Sequence, residues 1–200
     1  VLEPPGPGPY RTVVMLHGRY GDEEVMWIFK NATPVNWLKI APRGIVPEAR
    51  GYSWHPQEYG TWPELPAFDP AVEAIADFLT ALPRVYNADP GQLYLMGFSQ
   101  GAAVSYATAM RHPGLVQAIA GLVGFVPGAC AAHQDLRGLA ELPIFMAVGQ
   151  KDPLVPREQA LGCAETLLQA NSELCYHEYD TGHKLNAQGI RDLQAWWRKF

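Results

Sequence analysis

The chain has 200 residues, of which 48% are hydrophobic and 18% charged, with a formal net charge of −5. That is enough chain for one domain with a true core, and the composition is that of an ordinary globular protein. The 15 basic residues are scattered, so no basic groove for nucleic acid is expected, and no run approaches the roughly 18 apolar residues of a membrane span.

The first nine residues hold four prolines and two glycines and read as an extended lead-in. Thr12-Val13-Val14-Met15-Leu16 is a continuous apolar run ending at His17-Gly18, the pattern of a strand buried on both faces. Residues 36–41 give a weaker second strand. Residues 42–68 are punctuated by Gly and Pro and decorated by Tyr52, Trp54, Tyr59, Trp62 and Phe68. A loop that long inside one domain usually has a function. Asp69 reads as a helix cap, with Pro70 at the first position and Val72, Ile75, Ala76 and Leu79 at helical spacing.

Residues 92–96 form the next predicted strand, followed by Gly97-Phe98-Ser99-Gln100-Gly101 and an Ala-rich helix over 102–112. Strands are predicted at 118–123, 143–148 and 174–179, helices at 158–170 and around Ile190, Leu193 and Trp197. Strand and helix alternate, which implies an α/β fold with a mostly parallel central sheet and helices on both faces. No repeat or linker divides residues 1–200, so a single domain is expected. Fewer than about 20 residues separate Gly124 from Pro143, too few for a cap domain.

Gly97 to Gly101 fits G-x-S-x-G, and its position between a buried strand and a helix is what gives the motif weight. A sharp strand-to-helix turn strains the serine backbone and pushes its hydroxyl above the sheet edge. The residues two positions away on either side must then be small. Ser99 is therefore the candidate nucleophile. A serine hydroxyl needs a positioned base, and the chain order Ser, acid, His selects His183, which follows the last strand. His177 lies within that strand, His133 in an excursion, and His112 at a helix end; His17 and His55 precede the serine. Asp152 directly follows the strand 143–148, where strand C-termini converge, and is preferred to Asp180 and Asp135 as the residue that orients the imidazole. The oxyanion donors are expected to be the backbone N–H of Gln100, at a helix N-terminus, and of Arg19, in the loop after the first strand. His17 shapes that loop or acts directly.

These segments resemble the phospholipase/carboxylesterase family. The resemblance is carried by Leu-His-Gly at 16–18 with Gly-Asp at 21–22, Ala-Pro-Arg-Gly at 41–44, Gly-Phe-Ser-Gln-Gly at 97–101, Gly-Gln-Lys-Asp-Pro-Leu-Val-Pro at 149–156 and Gly-His at 182–183. It implies an α/β-hydrolase fold without a cap domain, a Ser99–Asp152–His183 triad and oxyanion amides at Arg19 and Gln100. It also implies hydrolysis of carboxylic esters or thioesters. Arg19 stands where eukaryotic thioesterases of the family carry an apolar residue, and Tyr20 replaces a frequent glycine, so the chain looks closer to bacterial esterases.

The expected activity is cofactor-free hydrolysis of small to medium esters through an acyl-enzyme. An acyl-protein thioesterase or lysophospholipase is the alternative, and a non-catalytic binding protein on the same scaffold the third reading. The loop 52–68 is expected to wall the acyl pocket with Trp54 foremost, plain loop packing being the other reading. Asp22-Glu23-Glu24 reads as a solvated helix start, and no metal is expected. Cys130, Cys163 and Cys175 form no disulfide framework; buried thiols in a reducing cytoplasm are expected, with no signal peptide at the start of the chain and a homodimer left open.

Overall fold

Period-two alternation along a handful of apolar strands divides the molecule into two cores, one on each face of a single sheet. The computed structural model describes residues 1–56, 62–128 and 135–200. Tyr59, Cys130 and His133, named above, lie outside them. Six strands form the sheet: β1 (Tyr10–Leu16), β2 (Leu38–Ile40), β5 (Ala88–Phe98), β6 (Ala118–Leu122), β7 (Pro143–Gly149) and β8 (Glu173–Tyr179). Their order is β2-β1-β5-β6-β7-β8, and every adjacent pair is parallel. The C-terminal ends of all six strands therefore share one edge.

Val14, Leu16, Leu95, Ile119, Ile144, Met146 and Val148 face one side. There they pack under α1 (Asp69–Tyr86), α2 (Gln100–Arg111) and α3 (Arg157–Gln169). The alternate positions Val13, Met15, Tyr94, Met96, Phe145 and Ala147 face the other side. That face is covered by α4 (Ala187–Trp197) and a short 3-10 helix over Val25–Ala32, through Leu193, Trp196, Trp197, Met26 and Phe29. A fully buried Leu or Phe side chain contributes roughly 1.5–3 kcal/mol, so both faces hold the sheet rigid.

The chain departs from the expected pattern in two places, the loop after β2 and the start of α1. The loop 42–68 contains a small antiparallel ladder, β3 (Val46–Pro47) with β4 (Tyr52–Ser53), and a 3-10 turn over Leu65–Phe68. Asp69 does not cap α1: it is already helical, makes no capping hydrogen bond, and its carboxylate instead accepts two bonds from the Arg111 guanidinium at 2.8 and 3.1 Å. The Asp22-Glu23-Glu24 segment starts the 25–32 helix as a cap, Asp22 Oδ1 accepting from the N–H groups of Glu24 and Val25. Glu23 pairs with Arg43, whose guanidinium holds the Glu23 carboxyl down to about 2.

Among the described residues no helix is long and apolar enough to cross a membrane. Cys163 is fully buried in α3, where its sulfur accepts the Val126 N–H at 3.1 Å.

Candidate active site

The chain runs outward from β1 to β2 and then returns to place β5 on the other side of β1. Such a reversal opens a crevice beyond the strand C-termini. Leu16 is in register with Gly97 there, so the loop after β1 and the turn after β5 meet side by side. An added Cβ at Gly18 would stand 3.2 Å from Ser99 Cβ.

The turn after β5 is as tight as the motif requires. Ser99 has φ 54° and ψ −117°, a strained conformation for a non-glycine residue that costs about 1–3 kcal/mol. Its N–H is anchored on the Leu122 carbonyl at 2.8 Å, and α2 starts at the next residue. A Cβ on Gly97 would lie 2.2 Å from the Gly101 carbonyl carbon, and one on Gly101 would lie 2.0 Å from the Leu16 carbonyl oxygen. The two glycines let helix, strand and neighbouring strand close on one another around the serine. As the first residue of α2, Gln100 has an N–H with no partner inside the helix, at the positive end of its dipole.

Asp152 and His183 are hydrogen-bonded, Nδ1 to Oδ2, at 2.7 Å. The Asp152 side chain is buried, and its other oxygen accepts the N–H groups of Leu154 at 2.8 Å and Val155 at 3.0 Å. An ionised carboxylate only accepts hydrogen bonds, so His183 Nδ1 carries the proton and Nε2 presents a lone pair. The two loops are tied together by backbone bonds from Gln150 to Tyr179 and from Lys151 to Thr181. β8 is three strands from β5, roughly 14 Å at ordinary spacing, yet the His183 ring reaches back to pack edge-on against Phe98, with centroids 5.3 Å apart. Phe98, the residue before the serine, thus supports the imidazole. Among the described residues no hydrogen bond joins Ser99 Oγ to His183. The rival acids point away: Asp180 pairs with Lys151 in solvent and Asp135 pairs with Arg137. His112 pairs with Glu73 at 3.1 Å.

The loop after β1 is braced from three sides. The buried His17 ring accepts the Gly44 N–H on Nε2 at 2.8 Å and contacts the Gly18 carbonyl through Nδ1 at 2.7 Å. Because Nε2 accepts, Nδ1 is the protonated nitrogen and donates to that carbonyl. Burial pushes the imidazole below its ordinary pKa, which keeps this neutral tautomer. The geometry makes His17 a shaper of the loop, and gives the 41–44 segment a purpose: its glycine supplies the N–H. Arg19, half-buried, sits with Nε 3.6 Å from the Glu48 carboxylate and its guanidinium over the Tyr20 ring.

Trp54 does not form a pocket wall as expected. It is 1% exposed, its indole N–H donates to the His17 carbonyl at 2.8 Å, and its ring lies 5.1 Å from the His17 ring. The reason is its place one residue after β4, which pins it beneath the loop after β1. Its backbone N–H donates to Gln100 Oε1 at 2.8 Å. Trp62, 41% exposed, packs edge-on against Phe125 at 4.9 Å. Phe125 follows Gly124, whose Cβ would meet the Ser99 backbone carbonyl at 2.6 Å. The sequence marked the aromatic loop but not which ring faces outward; only packing separates Trp62 from Trp54.

The sequence pattern of the phospholipase/carboxylesterase family matches residues 2–200. The chain is 28% identical over 144 residues to the putative esterase NocK of Nocardia uniformis subsp. tsuyamanensis, covering 72% of this chain and 40% of that protein. It is 31% identical over 117 residues to acyl-protein thioesterase 1 of Saccharomyces cerevisiae, covering 55% of this chain and 50% of that one. The match thus spans half or less of either relative's own length. The crystal structure of the Bacillus cereus carboxylesterase superposes with a TM-score of 0.85 at 19% identity, covering 95% of this chain and 88% of that one, a likeness of fold. The fold is that of the α/β-hydrolases, and the family match over nearly its full length means that this chain belongs to the phospholipase/carboxylesterase family.

Proposed function

We propose that the chain is a serine carboxylesterase that hydrolyses small to medium carboxylic esters without a cofactor. The observation that carries this reading is the buried Asp152–His183 pair, whose tautomer leaves Nε2 of the imidazole as a basic nitrogen. In this mechanism His183 Nε2 takes the Ser99 proton as Oγ attacks the ester carbonyl. The oxyanion is held by the N–H groups of Gln100 and Arg19. His183 then protonates the leaving alcohol, and the same base activates water to release the acid. Asp152 holds the ring and stabilises the imidazolium.

The expected substrate size rests on the apolar surface these loops offer. Trp62 and Phe125 offer an aromatic wall, and Leu154, on the loop that carries Asp152, is exposed. These surfaces suit an apolar acyl or aryl group in an open site. Thioester hydrolysis is the second reading, supported by the 31% identity to acyl-protein thioesterase 1, and it would use the same residues.

A p-nitrophenyl ester series of increasing acyl length, with a palmitoyl thioester beside it, tests both. Wild type should turn over short and medium esters and be labelled by a fluorophosphonate, and Ser99→Ala should do neither. Absence of both turnover and labelling in wild type would remove the hydrolase mechanism. A clear preference for the palmitoyl thioester would favour the second reading.

A further inference from the structure

On the face of the sheet away from Ser99's helix, strand β8 and helix α4 assemble a second set of nucleophile, base and acid. Cys175 and His177 stand two positions apart on β8, on the face that packs toward α4. Cys175 Sγ lies 3.3 Å from His177 Nε2. His177 Nδ1 lies 3.9 Å from Oδ2 of Asp192 on α4. The ring is held between Phe145 of β7, with centroids 5.2 Å apart, and Tyr179, parallel to within 6°. Asp192 is itself fixed: Tyr179 donates its hydroxyl to Oδ2 at 2.9 Å, and Gln188 donates to Oδ1 at 2.7 Å. The titratable groups facing the imidazole are therefore Cys175 and Tyr179 on its own strand and Asp192 on α4; β7 presents only Phe145.

The chemistry follows from orientation. A carboxylate on the Nδ1 side favours the proton there, which leaves the Nε2 lone pair aimed at the thiol. β8 is the edge strand, paired only with β7, and the His177 side chain is 35% exposed. A small reactant can therefore reach the pair from solvent. Cys163 provides the contrast: it is fully buried in an apolar environment. Among the described residues no three His, Cys, Asp or Glu side chains converge as metal ligands would, so the cluster reads as a nucleophile with its base and not as a metal centre.

We propose that Cys175, with His177 as base and Asp192 as orienting acid, is a site of thiol–disulfide exchange with low-molecular-weight disulfides. The Cys175 sulfur attacks one sulfur of R–S–S–R as His177 Nε2 accepts the thiol proton. The new Cys175–S–S–R bond forms, the original S–S bond breaks, and the departing thiolate takes the proton from His177. Cys175 is oxidised to the mixed-disulfide level as the departing sulfur is reduced to a thiol by the same amount, so no outside oxidant is needed.

The probe is dithiobis(nitrobenzoate) on the native protein, with the released thiolate followed by absorbance and the modified cysteine assigned by peptide mass spectrometry. Expected are an adduct on Cys175 and a rate at pH 6.5 at least about tenfold above that of the same cysteine in the urea-unfolded chain. The pH profile of the rate should differ from that of the same cysteine in the unfolded chain. His177→Gln should lower the rate about tenfold and bring the pH profile to that of the unfolded chain, and Asp192→Asn should lower the rate less. Ser99→Ala should leave it unchanged, which separates this site from the esterase reading. An unmodified Cys175 in the native protein would overturn the proposal. So would a wild-type rate and profile equal to those of the unfolded chain; that comparison decides even if His177→Gln fails to fold.

Discussion

The side-chain amide oxygen of Gln100 accepts the backbone N–H of Trp54 at 2.8 Å, across 46 positions of sequence. Through this bond the residue after the serine holds the segment that underpins the loop after β1. The same Trp54 donates its indole N–H to the His17 carbonyl. The two backbone donors expected to hold the oxyanion are thus linked by one buried side chain.

Trp54→Phe keeps most of the ring volume but leaves the buried His17 carbonyl without its donor, a loss of about 1–3 kcal/mol. Urea unfolding should show it. Because the ring supports the oxyanion loop, kcat should fall for all acyl lengths in similar proportion. Trp62→Ala should instead change KM most for the longer esters. If Trp54→Phe shifted chain-length preference and Trp62→Ala did not, the assignment of the two rings would be reversed.

The contact between Gly97 and Gly101 leaves no room for a methyl group. Gly97→Ala must displace the start of α2 from the end of β5, and with it Ser99. An overpacked core site costs typically about 1–3 kcal/mol, and here the displaced backbone carries the nucleophile. The expected outcome is a loss of fluorophosphonate labelling larger than the loss of folded protein, read by circular dichroism on the same sample. Labelling at the wild-type rate would mean that the turn tolerates the methyl group.

The alternation of strand and helix was legible because parallel strands buried on both faces appear as unbroken apolar runs, as in Thr12–Leu16 and Pro143–Val148. The Ser99 and Asp152 positions were legible because each follows such a run, and His183 because it follows the last strand in the order serine, acid, histidine. What the sequence hid depends on packing at a distance. Trp54 and Trp62 are equivalent in composition, and only the bond to His17 buries one of them. Asp69 has the residue type and place of a cap, but the Arg111 guanidinium, 42 positions away, takes its carboxylate. The Cys175–His177–Asp192 cluster was invisible because Asp192 joins it only when α4 folds back onto β8.

Asp152→Asn tests the tautomer argument directly. Asparagine can keep the volume and the bonds from Leu154 and Val155, but its amide N–H would donate to His183 Nδ1 and move the ring proton to Nε2, facing Ser99. The ring would then be unable to accept the serine proton. A loss of kcat on the order of ten-thousand-fold is expected, with little change in KM or in unfolding midpoint. A loss below about tenfold would show that His183 needs no partner at Asp152.

Acid should weaken the fold before the carboxylates titrate. Burial is the main cause that lowers the pKa of both His17 and His55 from the ordinary imidazole value of 6.5. Each is neutral in the fold over a range where the unfolded chain binds a proton. Between 6.5 and the lower folded value, the unfolded state therefore holds more protons, and stability rises with pH. This contribution is complete above 6.5 and is lost as pH falls, with a slope of up to about 1.4 kcal/mol per pH unit for each histidine. The Glu178 carboxyl, held below its ordinary value chiefly by its hydrogen bond from Arg157, acts only in the more acidic window below 4.5. Urea unfolding from pH 8 to pH 5 should show the decline, and His17→Gln, which can still accept from Gly44 without titrating, should reduce its slope. A flat curve over that range, or an unchanged slope in the variant, would show that His17 is not held neutral by the fold.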